Sequence, residues 1–157
     1  MAEAKFYEHG KKLMNFNINL STRIIILNSI VRSRLTYGCQ TWTLSSAHKD
    51  RLNASYMSML RKMVRRGYKR KTGEWAYRLT NQNLLDISKT ESITAFTDRQ
   101  KCRYLAHLLR LPDTSITKRM VFNTDRSVRT GPRTTFLKTV LEAEGSTLDK
   151  FARQSIK

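Results

Sequence analysis

The chain has 157 residues, enough for a domain with a substantial core, and 30 Lys and Arg against 12 Asp and Glu give a formal net charge of +18. Self-repulsion at this level destabilises a compact protein, so we expect a polyanionic partner, with nucleic acid first and an anionic membrane surface second. The longest apolar run, Ile24 to Leu27, is far too short to cross a bilayer.

The first 45 residues are predicted to form a helical pair. The first helix covers residues 3–14, and its apolar side chains face inward: Phe6, Tyr7 and Leu13. The second begins at a cap formed by Ser21 or Thr22 and runs to about Leu35. Its buried face consists of apolar residues at helical spacing: Ile24, Leu27, Ile30, Val31 and Leu35. Residues 39–44, which follow, look extended.

The stretch between Asp50 and Glu74 contains no other acidic residue. It contains eight cations: Arg51, Arg61, Lys62, Arg65, Arg66, Lys69, Arg70 and Lys71. Apolar residues at helical spacing predict a helix from about Ala47 to Arg66: Leu52, Tyr56, Met59, Leu60 and Met63. Gly67 is a suitable stop for this helix, and the cations continue beyond it into a loop. The helix is therefore expected to bury one face and turn its cations outward.

The second half of the chain is predicted to be helical as well. A short helix starts at Thr80 or Asn81, and a long one is capped by Thr90 and broken at Pro112. The long helix has an apolar stripe: Ile93, Phe96, Tyr104, Leu105, Leu108 and Leu109. Its cations are expected to be exposed: Arg99, Lys101, Arg103 and Arg110. Short helices over residues 115–122, 135–144 and 147–154 complete the chain.

These elements predict an all-α fold, an irregular bundle of six to eight helices with basic loops. We interpret residues 1–157 as a single thumb-like domain. It comprises the N-terminal helical pair (1–45), basic core helices (46–111) and short C-terminal helices (112–157).

Residue types that bind metals or catalyse reactions do not converge in this sequence. The three histidines and two cysteines are far apart: His9, His48, His107, Cys39 and Cys102. The acids are scattered, and no Gly-rich phosphate loop is present. We therefore expect no metal, no cofactor and no enzymatic activity from this chain alone. The cysteine usage and the absence of a signal-peptide pattern favour an intracellular protein of the nucleus or cytoplasm, with an organelle left open.

The candidate phosphate contacts fall into three groups. The first lies on the helix and loop after Asp50: Arg61, Lys62, Arg65, Arg66, Lys69, Arg70 and Lys71. The second is Arg103 and Arg110, and the third is a loop with three arginines: Arg126, Arg129 and Arg133. Trp75 is a candidate for stacking on an unpaired base, although packing onto the core is the favoured alternative. For each group of cations, the competing interpretation is a solubilising surface.

Two long motifs resemble the segment after the palm of LINE-type (non-LTR) retrotransposon reverse transcriptases. Residues 31–44 read Val-Arg-Ser-Arg-Leu-Thr-Tyr-Gly-Cys-Gln-Thr-Trp-Thr-Leu, where the family has a helix ending in Tyr-Gly and then a Gln-Thr-Trp-Thr-Leu-like stretch. Residues 103–113 read Arg-Tyr-Leu-Ala-His-Leu-Leu-Arg-Leu-Pro-Asp and resemble the family's Arg-Trp-Leu-Gly-His-Val-Leu-Arg-Met-Pro-Asp element. Shorter elements at 60–63 and 131–133 occur in the same order, so the resemblance spans nearly the whole chain.

The resemblance implies a thumb that grips template–primer or element RNA, and it is the reason for favouring RNA over DNA. The family's catalytic aspartate pair is absent, because no Asp-Asp occurs in the chain, so polymerase activity is not carried over. Three alternatives stay open. They are a segment of an active reverse transcriptase with its palm elsewhere, a structural RNA-binding subunit of a large ribonucleoprotein such as a mitochondrial ribosome, and a binder of anionic membranes. Other proteins of a ribonucleoprotein are possible partners; a small-molecule substrate is not expected.

Overall fold

A computed structural model describes residues 2–64, 79–122, 136–145, 147, 148, 150 and 151, which form helices and connecting segments with no strand among them. The predicted all-α fold class is therefore confirmed. The helices are α1 (Ala2–Glu8), α2 (Gly10–Leu13), α3 (Leu20–Ile26), α4 (Ser33–Leu35), α5 (Ser46–Val64), α6 (Asn81–Ser88), α7 (Ile93–Arg110), α8 (Ile116–Phe122) and α9 (Phe136–Glu144).

The chain divides into two compact units that interleave along the sequence. Unit 1 contains Met1–Tyr37 and Ser46–Ala95, and unit 2 contains Gly38–Ser45 and Phe96–Lys157. The core of unit 1 is a cluster of buried apolar side chains that includes Phe6, Leu13, Leu27, Tyr56, Met59, Leu60, Met63 and Ile93. Unit 2 has its own cluster, built on Leu105, Val140 and Phe151.

The predicted first helix is interrupted at His9, between α1 and α2. Phe6 and Leu13 are buried as predicted, but the inward orientation of Tyr7 was wrong, because its side chain is 57% exposed. Neighbouring residues on a helix point about 100° apart, so Phe6 and Tyr7 do not share a face. Phe6 takes the core position, and Tyr7 is left at the surface of unit 1.

The second predicted helix is a continuous helical path with a wider π-helical stretch, Leu27–Arg32, between α3 and α4. Its N-cap is Asn19, whose Oδ1 accepts a hydrogen bond from the backbone N–H of Ser21 at 3.2 Å, so the predicted cap was two or three residues late. The path ends before Gly38, whose φ of +70° lies in the left-handed region that favours glycine. The prediction of an extended segment over residues 39–44 was wrong for Cys39–Thr41, which form a 3-10 turn. Trp42, the next residue, is extended.

The helix of the acid-free stretch is observed as α5, and its predicted apolar face is buried apart from Leu52, which is half-buried. The predicted stop at Gly67 lies outside the described residues. Thr80 caps α6 as predicted, through a hydrogen bond from the backbone N–H of Asn83. Thr90 does not cap α7. Instead Ser92 Oγ accepts a hydrogen bond from the N–H of Ala95 at 3.1 Å, and α7 ends at Arg110, ahead of the predicted break.

Candidate nucleic-acid interface

The C-terminal end of α5 presents cations because the opposite side of the helix is held in the core of unit 1. Leu60 and Met63 are fully buried, whereas Arg61 is half-buried and Lys62 is exposed. The Arg61 guanidinium donates a hydrogen bond to Asn81 Oδ1 at the start of α6. Lys62 Nζ donates to the hydroxyl oxygen of Tyr7 at 2.5 Å. Both partners are uncharged, so these contacts orient the two cations without neutralising them.

The remaining members of the first group lie outside the described residues: Arg65, Arg66, Lys69, Arg70, Lys71 and Trp75. The same is true of the third group: Arg126, Arg129 and Arg133. Their assignment to phosphate contact, and the alternative for Trp75, therefore stay predictions.

The second group lies on α7 in unit 2. Arg103 and Arg110 are both exposed, and because they stand seven positions apart they share one face of the helix. Arg99 is also exposed, and its guanidinium lies 5.6 Å from the centre of the Phe96 ring. The structure therefore keeps this pair of predicted contacts at the surface, on a different unit from Arg61 and Lys62.

Lys101 was predicted to be exposed, and this was wrong. Its side chain is 1% exposed, because Lys101 lies in line with the buried residues Leu105 and Leu108. A buried ammonium requires a charged partner, and Asp98 one turn earlier provides it at 3.5 Å. At that distance the contact is an ion pair without hydrogen-bond geometry. Lys101 is therefore part of the interior of unit 2 and does not contribute to a basic surface.

Arg23 is a structural residue that the sequence analysis did not single out. It is 5% exposed, and its guanidinium donates to three backbone carbonyls: Ile18 at 3.0 Å, Leu13 at 3.3 Å and Met63 at 3.1 Å. Its guanidinium carbon also lies 4.6 Å from the centre of the Phe16 ring. Burial lowers the pKa of Arg23, but an arginine remains protonated in such a site. Helical spacing gives no signal for this role, since the acceptors lie outside the helix of Arg23, and one of them, Met63, is distant in sequence.

Several acids of the described part of the chain pair with cations outside the predicted contact groups. Glu8 pairs with Lys5 at 2.5 Å, Glu91 with Arg32 at 3.7 Å, and Asp113 with Lys118 at 2.8 Å. Lys5 lowers the pKa of Glu8 through its hydrogen bond, and Lys118 lowers the pKa of Asp113 in the same way. These carboxylates are therefore engaged elsewhere rather than at Arg61 or Lys62.

The two thiols are both protonated at neutral pH. The pKa of Cys102 is raised to about 12. Burial is the largest cause, and the hydrogen bond from Sγ to Glu144 Oε1 at 3.0 Å is the second. Burial also raises the pKa of Cys39. A thiol is nucleophilic only as the thiolate, so neither cysteine is activated for catalysis. Among the described residues, no three His, Cys, Asp or Glu side chains converge on a metal site.

No protein-family model, curated protein or solved structure matches this chain. The described helices include none that is long and apolar enough to cross a membrane.

Proposed function

We propose that this chain is a non-enzymatic nucleic-acid-binding module that prefers RNA and contacts the phosphate backbone through the C-terminal end of α5. The observation that carries the proposal is the pair Arg61 and Lys62, held by a helix whose other face is core and oriented by uncharged partners. In a chain of net charge +18, such cations favour a polyanion. The resemblance to the thumb region of LINE-type reverse transcriptases supports RNA over DNA.

The first test is the salt dependence of binding to a labelled single-stranded RNA. Binding is measured by fluorescence anisotropy between about 50 and about 300 mM KCl. If roughly five to eight phosphates of the single strand are neutralised, at about 0.7 counterion each, a plot of log K against log salt should have a slope near −3.5 to −5.5. A slope near zero would reject phosphate contact. The same titration with DNA of matching sequence should give weaker binding, and tighter binding to DNA would contradict the preference for RNA.

Variants locate the contacts. The double variant Arg61→Gln with Lys62→Gln should make the slope shallower by roughly 1.4, since about 0.7 counterion is released per phosphate contact on a single strand. Its matched control is Lys138→Gln with Lys150→Gln, which removes the same charge from exposed positions in unit 2. An equal change in both variants would show that net charge, rather than the end of α5, governs binding.

Reversing Arg65, Arg66, Lys69 and Arg70 to Glu should abolish binding and leave the far-UV circular dichroism unchanged.

A further inference from the structure

A single nitrogen atom of Arg23 is hydrogen-bonded to the C-terminal ends of both α2 and α5. One nitrogen of the buried Arg23, Nη1, donates to the carbonyl oxygens of both Leu13, the last residue of α2, and Met63, near the end of α5. The last turn of α2 carries Lys11 and Lys12, and the last turn of α5 carries Lys62. The fold therefore brings Lys62 to the same end of unit 1 as Lys11 and Lys12, from which it is distant in sequence; all three are exposed.

The electrostatics of this end are positive. The C-terminal ends of helices carry a partial negative charge that usually attracts nearby cations. Here Arg23 bonds the carbonyls of both helix ends from inside, so the lysines are not required for that purpose. Glu8, the acid nearest to them in sequence, is held by Lys5 at 2.5 Å, and its pKa is lowered by that hydrogen bond.

Tyr7 supplies an aromatic surface beside Lys62. Lys62 Nζ lies 2.5 Å from the Tyr7 hydroxyl oxygen but 4.8 Å from the centre of the ring, so the ammonium sits at the hydroxyl end and not above the ring. Phe6 contacts Tyr7 in an edge-to-face arrangement, with centroids 5.6 Å apart and an interplanar angle of 82°. With 57% of the residue exposed, Tyr7 retains an accessible aromatic surface whose orientation is fixed by Lys62 and Phe6.

We propose that Tyr7, Lys11, Lys12 and Lys62 form a binding site for a single-stranded segment of nucleic acid. An unpaired base stacks on Tyr7, and the lysines contact the phosphates on either side of it. Base–aromatic stacking tolerates any sequence, since every base has a π face. A duplex cannot use Tyr7 in this way because its base faces are already stacked on each other. This site rests on the proposed function and adds to it the location of a base contact and a preference for unpaired nucleotides.

The test compares a labelled single-stranded RNA with a duplex RNA of equal length, using the full chain. Tyr7→Ala should weaken binding to the single strand about 10-fold, the loss expected for one stacked base, and change duplex binding by less than about 2-fold. Tyr7→Phe keeps the ring and should retain single-strand affinity. The matched control is Tyr37→Ala, which removes an aromatic ring that is 86% exposed on the same unit and should leave both affinities unchanged.

The lysines are tested by Lys11→Gln with Lys12→Gln, which should make the single-strand salt slope shallower by roughly 1.4, at about 0.7 per phosphate. Lys89→Gln with Lys150→Gln, at two other exposed positions, should leave the slope unchanged. A measurement on the unmodified chain complements the variants. Photocrosslinking to single-stranded RNA containing 5-iodouridine should modify Tyr7, located by mass spectrometry of the peptide that contains it.

The site is rejected if Tyr7→Ala has no effect, if it weakens single-strand and duplex binding equally, or if Tyr37→Ala weakens binding as much. Crosslinks confined to other residues would also reject it. So would variants of Tyr7, Lys11 and Lys12 that lose binding to anionic vesicles while their binding to RNA is unchanged. These outcomes differ from a failure of the proposed function. In that case the unmodified chain would show no salt-dependent binding to either RNA, whereas a wrong site leaves such binding intact.

Discussion

Arg23 carries a charge inside unit 1, where its guanidinium provides hydrogen bonds to three carbonyl groups. The carbonyl of Leu13 lies at the last residue of α2, where intrahelical donors run out, and the carbonyl of Met63 lies in the last described turn of α5. An apolar side chain of similar length would fill the space but leave these acceptors without partners. Arg23 therefore joins the N-terminal helices to the C-terminal end of α5, which carries the predicted phosphate contacts.

We expect Arg23→Met to lower the free energy of unfolding by about 3 kcal/mol or more, because three acceptors lose their donor and a buried acceptor without a partner costs about 1–3 kcal/mol. Urea denaturation followed by circular dichroism measures this change. Arg34→Met, on an exposed arginine, is the control for the loss of one positive charge and should change stability by less than about 0.5 kcal/mol. Equal stability of the two variants would show that the three hydrogen bonds contribute little.

Cys102 should react slowly with alkylating reagents because its pKa is raised to about 12, first by burial and then by Glu144. At pH 8 its thiolate fraction is on the order of a thousand times smaller than that of a free cysteine, whose pKa is about 8.5. Since the folded state holds the thiol proton more tightly than the unfolded state, this group contributes stability that is lost as pH rises above about 8.5 towards 12.

Glu144→Gln removes a negative charge next to the thiol and should lower the pKa of Cys102, so that alkylation becomes faster. Iodoacetamide labelling followed by mass spectrometry measures the rate, and a Cys39→Ser background leaves one thiol to follow. Glu142→Gln, a nearby exposed acid paired with Lys138 at 3.8 Å, is the control. If Glu142→Gln accelerates labelling as much as Glu144→Gln, the hydrogen bond to Cys102 is not the cause.

At the scale of the helices, local spacing predicted α5 well because its buried face is a regular repeat of apolar residues. The same rule was misapplied to α7. Thr97, Lys101, Leu105 and Leu108 form one fully buried stripe, and spacing alone puts Lys101 on it. Its charge led to the opposite prediction. The burial depends on a partner, Asp98, and a charged residue in an apolar stripe is a signal for such a pair.

The helix starts show what local rules leave open. Several residues near the start of α3 are good caps, namely Asn19, Ser21 and Thr22, and composition does not choose among them. The structure uses Asn19, with φ and ψ of −55° and 142°. Thr90 was a plausible cap for α7, but its hydroxyl lies 3.4 Å from the hydroxyl of Tyr56, a contact with the middle of α5. Contacts between helices therefore decide which polar residue becomes a cap.

At the scale of the whole molecule, charge and helical class could be read from composition and spacing, but the two units could not. The boundary between them falls inside α7, between Ala95 and Phe96, and unit 2 recruits residues 38–45 from the first third of the chain. No Gly- or Pro-rich linker marks this division. The site formed by Tyr7, Lys11, Lys12 and Lys62 was missed for the same reason, since Arg23 creates it by joining distant segments.

The net charge of +18 predicts that added salt stabilises the free chain and that an added polyanion stabilises the chain by binding to it. Salt screens repulsion among the cations, so the melting temperature should rise between about 50 and about 500 mM NaCl. A polyanion that binds the folded state raises the free energy of unfolding by about 2.7 kcal/mol when its concentration is 100 times its dissociation constant. For a chain of this size, this corresponds to a rise in melting temperature of roughly 5–10 °C. Differential scanning fluorimetry with single-stranded RNA and with heparin measures this shift, and neutral dextran is the control.

Salt should act with opposite signs on folding and on binding, and this separates the two roles of the cations. As salt rises, the free chain should become more stable while the shift produced by RNA shrinks, because releasing counterions into a more concentrated salt solution contributes less free energy to binding. If the cations were only a solubilising surface, RNA would produce no shift at any salt concentration. If the melting temperature fell steadily as salt increased, attraction between the chain's own charges would outweigh their repulsion, and the chain would not need a polyanion to offset its charge.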